Sequence, residues 1–435
     1  MSNLKLKNNF YLKKSFLSGT IKSSPSKSHS IRAILFASLA KGNSRISNYL
    51  DSPDINAMLD TVIKLGVKVN KQKDYIDITG INLKPNIPND IIDSGNSGQV
   101  LRFIGAIAAL INGYTVITGD ESIRTNRPVQ PLINGLNQLG VFCESTKNDG
   151  YAPIIIKGPV KNNKLVIDGQ DSQPVSALII LSAFLENNYT EIKVNNAGEI
   201  PWVNLTLGWL DKFNIKYENN NFQEYKVFGK NKLKNFDYIV PGDFSSVLYP
   251  VIAALITDSS ITIENLDNND LQGDKKVIDI LVKLGANIEY KDNNLVINKS
   301  LKKLSGINID VNDFIDAVPI LAVLGCFLEG ETVLSNAAIA RKKESDRLAT
   351  ITKELSKMGA NIVETSDSLI IKKAKLKHAN NLESHHDHRI AMALSVAALN
   401  TEGLSCINNI TCVEKSYKNF FKDFKTLGVE INYGE

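Results

Sequence analysis

Residues 340–355 read ARKKESDRLATITKEL, a charged cluster that runs directly into an amphipathic segment. Leu348, Ile351, Leu355 and Met358 recur at three- and four-residue spacing, which predicts a helix with one buried stripe and Ser345 as its cap. Lys343 and Arg347 then lie at a helix N-terminus, an end that already carries roughly half a positive elementary charge. Cations are poorly placed there for local stability and well placed to hold an anion. Glu344 stands between them, and a carboxylate among cations can be tuned by its neighbours to give or take a proton. For an isolated RKKESDR, a solvated charged face is an equal reading. Recurrence favours the ligand: Arg32 in SHSIRAILFASLA, Arg102 in GQVLRFIGAIAAL and Arg389 in DHRIAMALSVAAL also put a cation in the first turn of an apolar helix.

The rest of the chain must position these groups. At 435 residues it is too long for one ordinary core and suggests two or three domains. Hydrophobic content of 43% with 22% charged residues is that of a globular protein, with no apolar run long enough to span a bilayer and no signal-peptide core in MSNLKLKNNF. A cytoplasmic protein with no membrane partner is expected. Cys143, Cys326, Cys406 and Cys412 are scattered without metal spacing, and His385, His386 and His388 have no accompanying ligands, so neither a metal nor a cofactor is expected. The net charge of +4 lacks the aromatic-interleaved basic stripe of a nucleic-acid binder; a small polyanionic substrate accounts for it better.

A repeat organises the sequence. A helix ending in Leu-Gly or a variant leads into two short strands six times, marked by Gly66, Gly140, Asn214, Gly285, Gly359 and Gly428 at intervals of 74, 74, 71, 74 and 69 residues. Between the markers an apolar helix, a small turn and a strand also recur, as in AIAALINGYTVITG and IAALITDSSITIEN. Each unit is β-α-β-α-β-β, giving an α/β fold in which the first helices, apolar nearly all round, are buried and the second ones lie outside. Six units divide as three and three: one globule over 21–240 and a second over 1–20 plus 241–435. The sixth copy ends one strand short, and segment 9–22 is free to complete it. Two chain crossings near 20–23 and 240–242 make a hinge, and closure of a cleft on ligand is the usual consequence.

The six buried helices begin PSKSHSIR, SGNSGQVLR, DSQPVSA, GDFSSVL, DFIDAVP and HHDHRIA. Caps explain their Ser, Asp and Gly residues, Asp316 included, but not Lys27, Arg32, Arg102 or Arg389. Parallel buried helices would aim their positive ends together as a polyanion trap.

PSKSHSIRA, SGNSGQVLRF, RKKESDRL, DHRIAMA and CVEKS, in this order and over essentially the whole chain, resemble the enolpyruvyl transferases, and within them the branch that acts on shikimate 3-phosphate. The resemblance implies two globules of three β-α-β-α-β-β units each, an inside-out α/β barrel. It implies transfer of the enolpyruvyl group of phosphoenolpyruvate to the 5-hydroxyl of shikimate 3-phosphate, by addition and elimination through a tetrahedral ketal phosphate with release of phosphate, as a monomer with no metal. By this resemblance Lys27, Gly98, Arg127, Gln173, Arg347, Arg389 and Lys415 bind phosphoenolpyruvate. Lys27, Ser28, Arg32, Ser172, Gln173, Asp316 and Lys343 bind the acceptor. Lys27, Asp316 and Glu344 are the catalytic set, Asp316 as base for the hydroxyl and Glu344 as proton donor to the methylene carbon.

The acceptor half departs from the family pattern. Asp171 precedes Ser172-Gln173 where a serine is common, and Glu199-Ile200-Pro201-Trp202 stands where Ser-Lys-Pro-Tyr is common. An acid beside a phosphate repels it, so either both side chains point away or the acceptor is a different small alcohol. The branch that acts on UDP-N-acetylglucosamine uses a loop cysteine, which loop 119–128 lacks.

Overall fold

The computed structural model describes residues 9–299 and 303–434; residues 1–8, 300–302 and 435, which belong to the second expected globule, lie outside it. The chain divides into two compact units, Pro25–Pro241 and Met1–Ser24 with Gly242–Glu435. Each has its own apolar core.

The repeat markers are helix stop signals. Gly66, Gly140, Gly285, Gly359 and Gly428 all have positive φ, between 78° and 98°, and Asn214 takes φ 54° at the equivalent place. Each follows the C-cap of an outer helix, where a left-handed residue closes the last turn; Asn is the side chain that tolerates this best after Gly. The helix ends there, and after the first five markers the chain turns into a two-stranded hairpin, whereas a single strand follows Gly428.

Among the described residues six four-stranded sheets result, one per repeat. In the third, Lys164–Asp168 pairs parallel with Tyr189–Asn195, which pairs antiparallel with Glu224–Phe228, itself antiparallel to Tyr217–Asn220. Two lead strands come from distant sequence. Asp237–Ile239 runs parallel to Lys41–Ser47 in the first sheet, and Ser18–Lys22 runs parallel to Ser260–Glu264 in the fourth. Asn9–Leu12 completes the sixth sheet between Ser405–Asn408 and Ile431–Gly434, antiparallel to both.

The buried helices are Lys27–Leu39, Gly98–Ala108 and Ser172–Ala183 in the first unit. In the second they are Phe244–Ile256, Val318–Gly325 and His388–Ala398. Buried residues occur on every side of these helices, whereas outer helices such as Arg347–Lys357 bury one stripe. In the first unit the last strand of each repeat crosses the carbonyl end of its buried helix at a glycine. A Cβ on Gly80 would sit 2.4 Å from the Ala37 carbonyl oxygen, one on Gly158 2.4 Å from that of Ala109, and one on Gly229 2.5 Å from that of Leu185.

Candidate active site

In the unit containing residues 242–434, three carboxylates converge on one guanidinium. Arg347 is the first residue of helix Arg347–Lys357 and is 1% exposed. Its Nη1 donates to Asp316 Oδ1 at 2.6 Å, Nη2 to Glu344 Oε2 at 2.9 Å, and Nε to Asp387 Oδ2 at 2.8 Å. Lys415 Nζ donates to the other oxygen of Glu344 at 2.6 Å, and Arg389 Nη2 reaches Asp316 Oδ2 at 3.5 Å. Asp316 lies in a 3₁₀ turn, Asn312–Ala317, that leads into a buried helix.

The electrostatics follow from that geometry. Burial pushes the Asp316 carboxyl up, but Arg347, Arg389 and Lys343 outweigh it and hold the group well below the usual carboxylate range, against an opposing push from Glu344. Burial pushes Arg347 down, yet Asp387, Glu344 and Asp316 raise it well above its ordinary value. Arg389 also ends up raised, burial being overcome by Tyr249, Asp316, Asp243 and Asp274. Its Nε and Nη1 are buried without a hydrogen-bond acceptor, so an entering anion would find donors already desolvated.

The helix cap differs from expectation. Asp346, not Ser345, caps Arg347–Lys357, accepting from the Ala349 amide at 3.1 Å. Ser345 Oγ instead donates to Asp387 Oδ2 at 3.0 Å. Serine and aspartate are equally good caps, and the Ser345 hydroxyl is taken by the buried Asp387 carboxylate. Asp387 does accept from the Arg389 amide at 2.9 Å, so it serves both helix starts. His385 Nε2 pairs with buried Glu354 at 2.9 Å.

In the unit Pro25–Pro241, Arg32 and Arg102 occupy the second helical turn, not the first as expected. Each folds back a turn, donating to the carbonyls of Ser28 and Gly98, both at 3.2 Å, because long helical side chains lean toward the N-terminus. Arg32 is buried, with Nη2 on Thr206 Oγ1 at 2.8 Å and on the Trp202 carbonyl at 3.2 Å, and its guanidinium lies 5.1 Å over the Phe103 ring. Burial lowers it to about 9, so it stays cationic at neutral pH. Lys27 Nζ stands 3.6 Å from buried Asp54.

Gly98 packs among polar groups. A Cβ there would meet Arg102 Nη1 at 2.8 Å, Gln173 Oε1 at 3.0 Å and Arg127 Nη1 at 3.4 Å. Arg127 is aimed by Asn96, donating to its carbonyl and to its side-chain oxygen at 3.2 and 3.0 Å. Gln173 Oε1 is buried without a hydrogen-bond donor.

Asp171 and Glu199 each meet donors inside this unit, so neither stands as an unopposed acid. Asp171 Oδ2 lies 3.1 Å from Arg102 Nη2 while Oδ1 caps Gln173 at 3.0 Å. Glu199, 2% exposed, accepts on Oε2 from both the amide and the hydroxyl of Ser172, at 3.0 and 3.1 Å. Burial pushes Arg102 down overall, with Asp171 and Glu199 opposing and Arg127 adding to the fall.

Thus Arg347, Arg389, Lys415, Asp316 and Glu344 meet in one unit, with Lys343 acting on Asp316. Gly98, Arg127 and Gln173 meet in the other, where Ser28 and Arg32 share a turn and Ser172 holds Glu199. Asp387, Asn96 and Thr206 were missed as supports; Asp387, inside DHR, and Asn96, inside SGNSG, carried a sequence signal, and Thr206 carried none. Among the described residues no group of three or more His, Cys, Asp or Glu is arranged to hold a metal, and no helix is long and apolar enough to cross a membrane.

Comparison with known proteins covers nearly the whole chain. A 3-phosphoshikimate 1-carboxyvinyltransferase from Acetivibrio thermocellus is 39% identical over 421 residues, covering 97% of this chain and 98% of that one. One from Chlamydia caviae is 41% identical over 421 residues, covering 96% and 93%. The solved EPSP synthase of Acinetobacter baumannii superposes with a TM-score of 0.82 at 26% identity, over 98% of this chain and 100% of its own. The enolpyruvyl transferase NikO from Streptomyces tendae shares the fold, with a TM-score of 0.81 at 16% identity over 99% of both chains. The model of one family, EPSP synthase (3-phosphoshikimate 1-carboxyvinyltransferase), matches residues 12–424, and the chain belongs to that family.

Proposed function

We infer that this protein transfers the enolpyruvyl group of phosphoenolpyruvate to the 5-hydroxyl of shikimate 3-phosphate and releases phosphate, a step toward chorismate and the aromatic amino acids. The observation that carries the reading is the convergence of Asp316 and Glu344 on Arg347, with Arg389 and Lys415 beside them. An acid, a base and three cations in one place match a reaction that moves protons beside a phosphate and a carboxylate.

In the addition, Asp316 takes the proton of the 5-hydroxyl as its oxygen bonds to C2 of phosphoenolpyruvate, and Glu344 gives a proton to C3, which becomes a methyl group. In the elimination, Glu344 recovers a proton from that methyl, the C2–O bond to phosphate breaks, and the proton held by Asp316 leaves with the phosphate. Arg347, Arg389 and Lys415 hold the substrate's anionic groups, together with Lys27, Arg127, Gln173 and the close backbone approach allowed by Gly98. Ser28, Arg32, Ser172 and Lys343 hold the acceptor, with Lys27, Gln173 and Asp316.

The low position of Asp316 fits a base that is switched on by substrate. The arginines that depress it are those assigned to phosphoenolpyruvate, so pairing them with substrate anions weakens their hold and raises its basicity. Action as a monomer in the cytoplasm, on small anionic metabolites, completes the reading. Phosphate release from phosphoenolpyruvate by the purified protein, with mass analysis of the product, tests the reaction. Release that requires shikimate 3-phosphate is expected; none in its presence overturns it.

A further inference from the structure

Glu199 is built into the acceptor half in a way that the reaction does not require. It is the residue before helix Ile200–Lys212, in left-handed backbone at φ 48° and ψ 39°, a conformation that favours Gly or Asn and marks a side chain held in place by its surroundings. The conformation turns its carboxylate onto Ser172, the first residue of the 12-residue helix Ser172–Ala183. One oxygen takes both the Ser172 amide and the Ser172 hydroxyl. These two donors at a helix N-terminus are what an oxygen of a phosphate monoester would use.

A second observation points to an anionic ligand. Arg32 is buried at 1% exposure, and its hydrogen-bond partners Ser28, Trp202 and Thr206 are all uncharged. Residues 202 and 206, which hold it, belong to the helix that Glu199 precedes. The segment that aims the carboxylate at Ser172 therefore also keeps a desolvated cation without a counter-charge.

We propose that Glu199 is an internal stand-in for the phosphate of the acceptor: its carboxylate occupies the Ser172 donors in the free protein and is displaced when shikimate 3-phosphate binds. The inference rests on the reaction assigned above. A carboxylate and a phosphate dianion cannot share one pair of donors, so the side chain leaves as the phosphate arrives. Glu199 thereby lowers affinity for the phosphorylated acceptor and keeps the Ser172 amide and hydroxyl satisfied while no acceptor is present.

Initial rates at saturating phosphoenolpyruvate, with shikimate 3-phosphate varied, test this on the wild type, Glu199→Ser and Glu199→Gln, alongside calorimetric binding of shikimate 3-phosphate alone. Expected is a KM for shikimate 3-phosphate at least tenfold lower in Glu199→Ser and at least threefold lower in Glu199→Gln. The kcat should stay within threefold and the KM for phosphoenolpyruvate within twofold, and the calorimetric Kd should follow the KM. A merely structural Glu199 gives the opposite, an unchanged or raised KM and Kd in both variants, and that overturns the proposal while wild-type turnover stands. Should Glu199→Ser lose its cooperative melt, Glu199→Gln decides alone. A wild type that neither turns over nor binds shikimate 3-phosphate overturns the reaction and this inference together.

Discussion

The two units treat a buried arginine in opposite ways. Arg347 is surrounded by carboxylates, with Asp316, Glu344 and Asp387 all within 3 Å of its guanidinium nitrogens. Arg32, equally buried, has a hydroxyl, two carbonyls and the face of Phe103, all uncharged. In the first case the protein supplies the counter-charge, and the cation fixes the two carboxylates proposed as base and acid. In the second only neutral groups offset the desolvation cost, and the proposed counter-charge is the ligand's. Stability and affinity should therefore respond oppositely at the two sites.

The largest effect should come from replacing these arginines by methionine. Arg347→Met strands three carboxylates together, two of them nearly inaccessible, and should cost about 3–5 kcal/mol of stability as well as turnover. Arg32→Met removes a charge that nothing neutralises, so unfolding free energy should change by no more than about 1 kcal/mol, while the KM for shikimate 3-phosphate rises on the order of 10²-fold. Urea unfolding of both variants, with steady-state kinetics of the second, makes the comparison. Equal destabilisation at the two sites would remove the distinction.

A smaller effect separates chemistry from binding. Glu344→Gln and Asp316→Asn keep the shape of the cluster and its hydrogen bonding to Arg347. Each should lower kcat by at least about 10²-fold, with substrate affinity kept within about tenfold. Wild-type turnover in either variant would take that residue out of the proton transfers.

How much of this could be read from sequence depended on range. The Leu-Gly markers were legible because each is a local event, a left-handed residue that stops one helix, and even Asn214 follows that rule. The apolar helices were legible by their lack of a polar face. The partners of the lead strands were legible only in part. Segment 9–22 reads as the missing piece of the sixth copy, and Asn9–Leu12 fills that place, but Ser18–Lys22 pairs in the fourth sheet, while Asp237–Ile239 serves the first. Ser18–Lys22 buries only Ile21, and Asp237–Ile239 buries nothing fully, so neither pattern names a partner. The cation types at the helix starts were likewise visible, whereas their supports were not. Thr206 lies 174 residues from Arg32 and Asp387 lies 40 from Arg347, at spacings no helical or strand period predicts.

The smallest expected effect probes how far the self-neutralising design of the second unit extends. Asp274 precedes helix Lys275–Lys283, is fully buried, and accepts on Oδ2 from Ser245 at 2.6 Å. Burial pushes its carboxyl up to about 7, Asp316 and Asp243 push the same way, and Arg389 and Ser245 oppose them. A carboxyl raised in the folded state binds its proton more tightly there than in the unfolded chain. Its stabilising contribution is complete below the ordinary carboxylate value and is lost as pH rises through about 7. Asp274→Asn keeps an oxygen for Ser245 and has no charge to bury. Its stability relative to wild type should therefore increase between pH 5 and pH 8, by about 2 kcal/mol. A difference in unfolding free energy that stays flat across that range would show that Arg389 neutralises Asp274 as fully as Arg347 neutralises Asp387, extending the charge-matched cluster by one more acid.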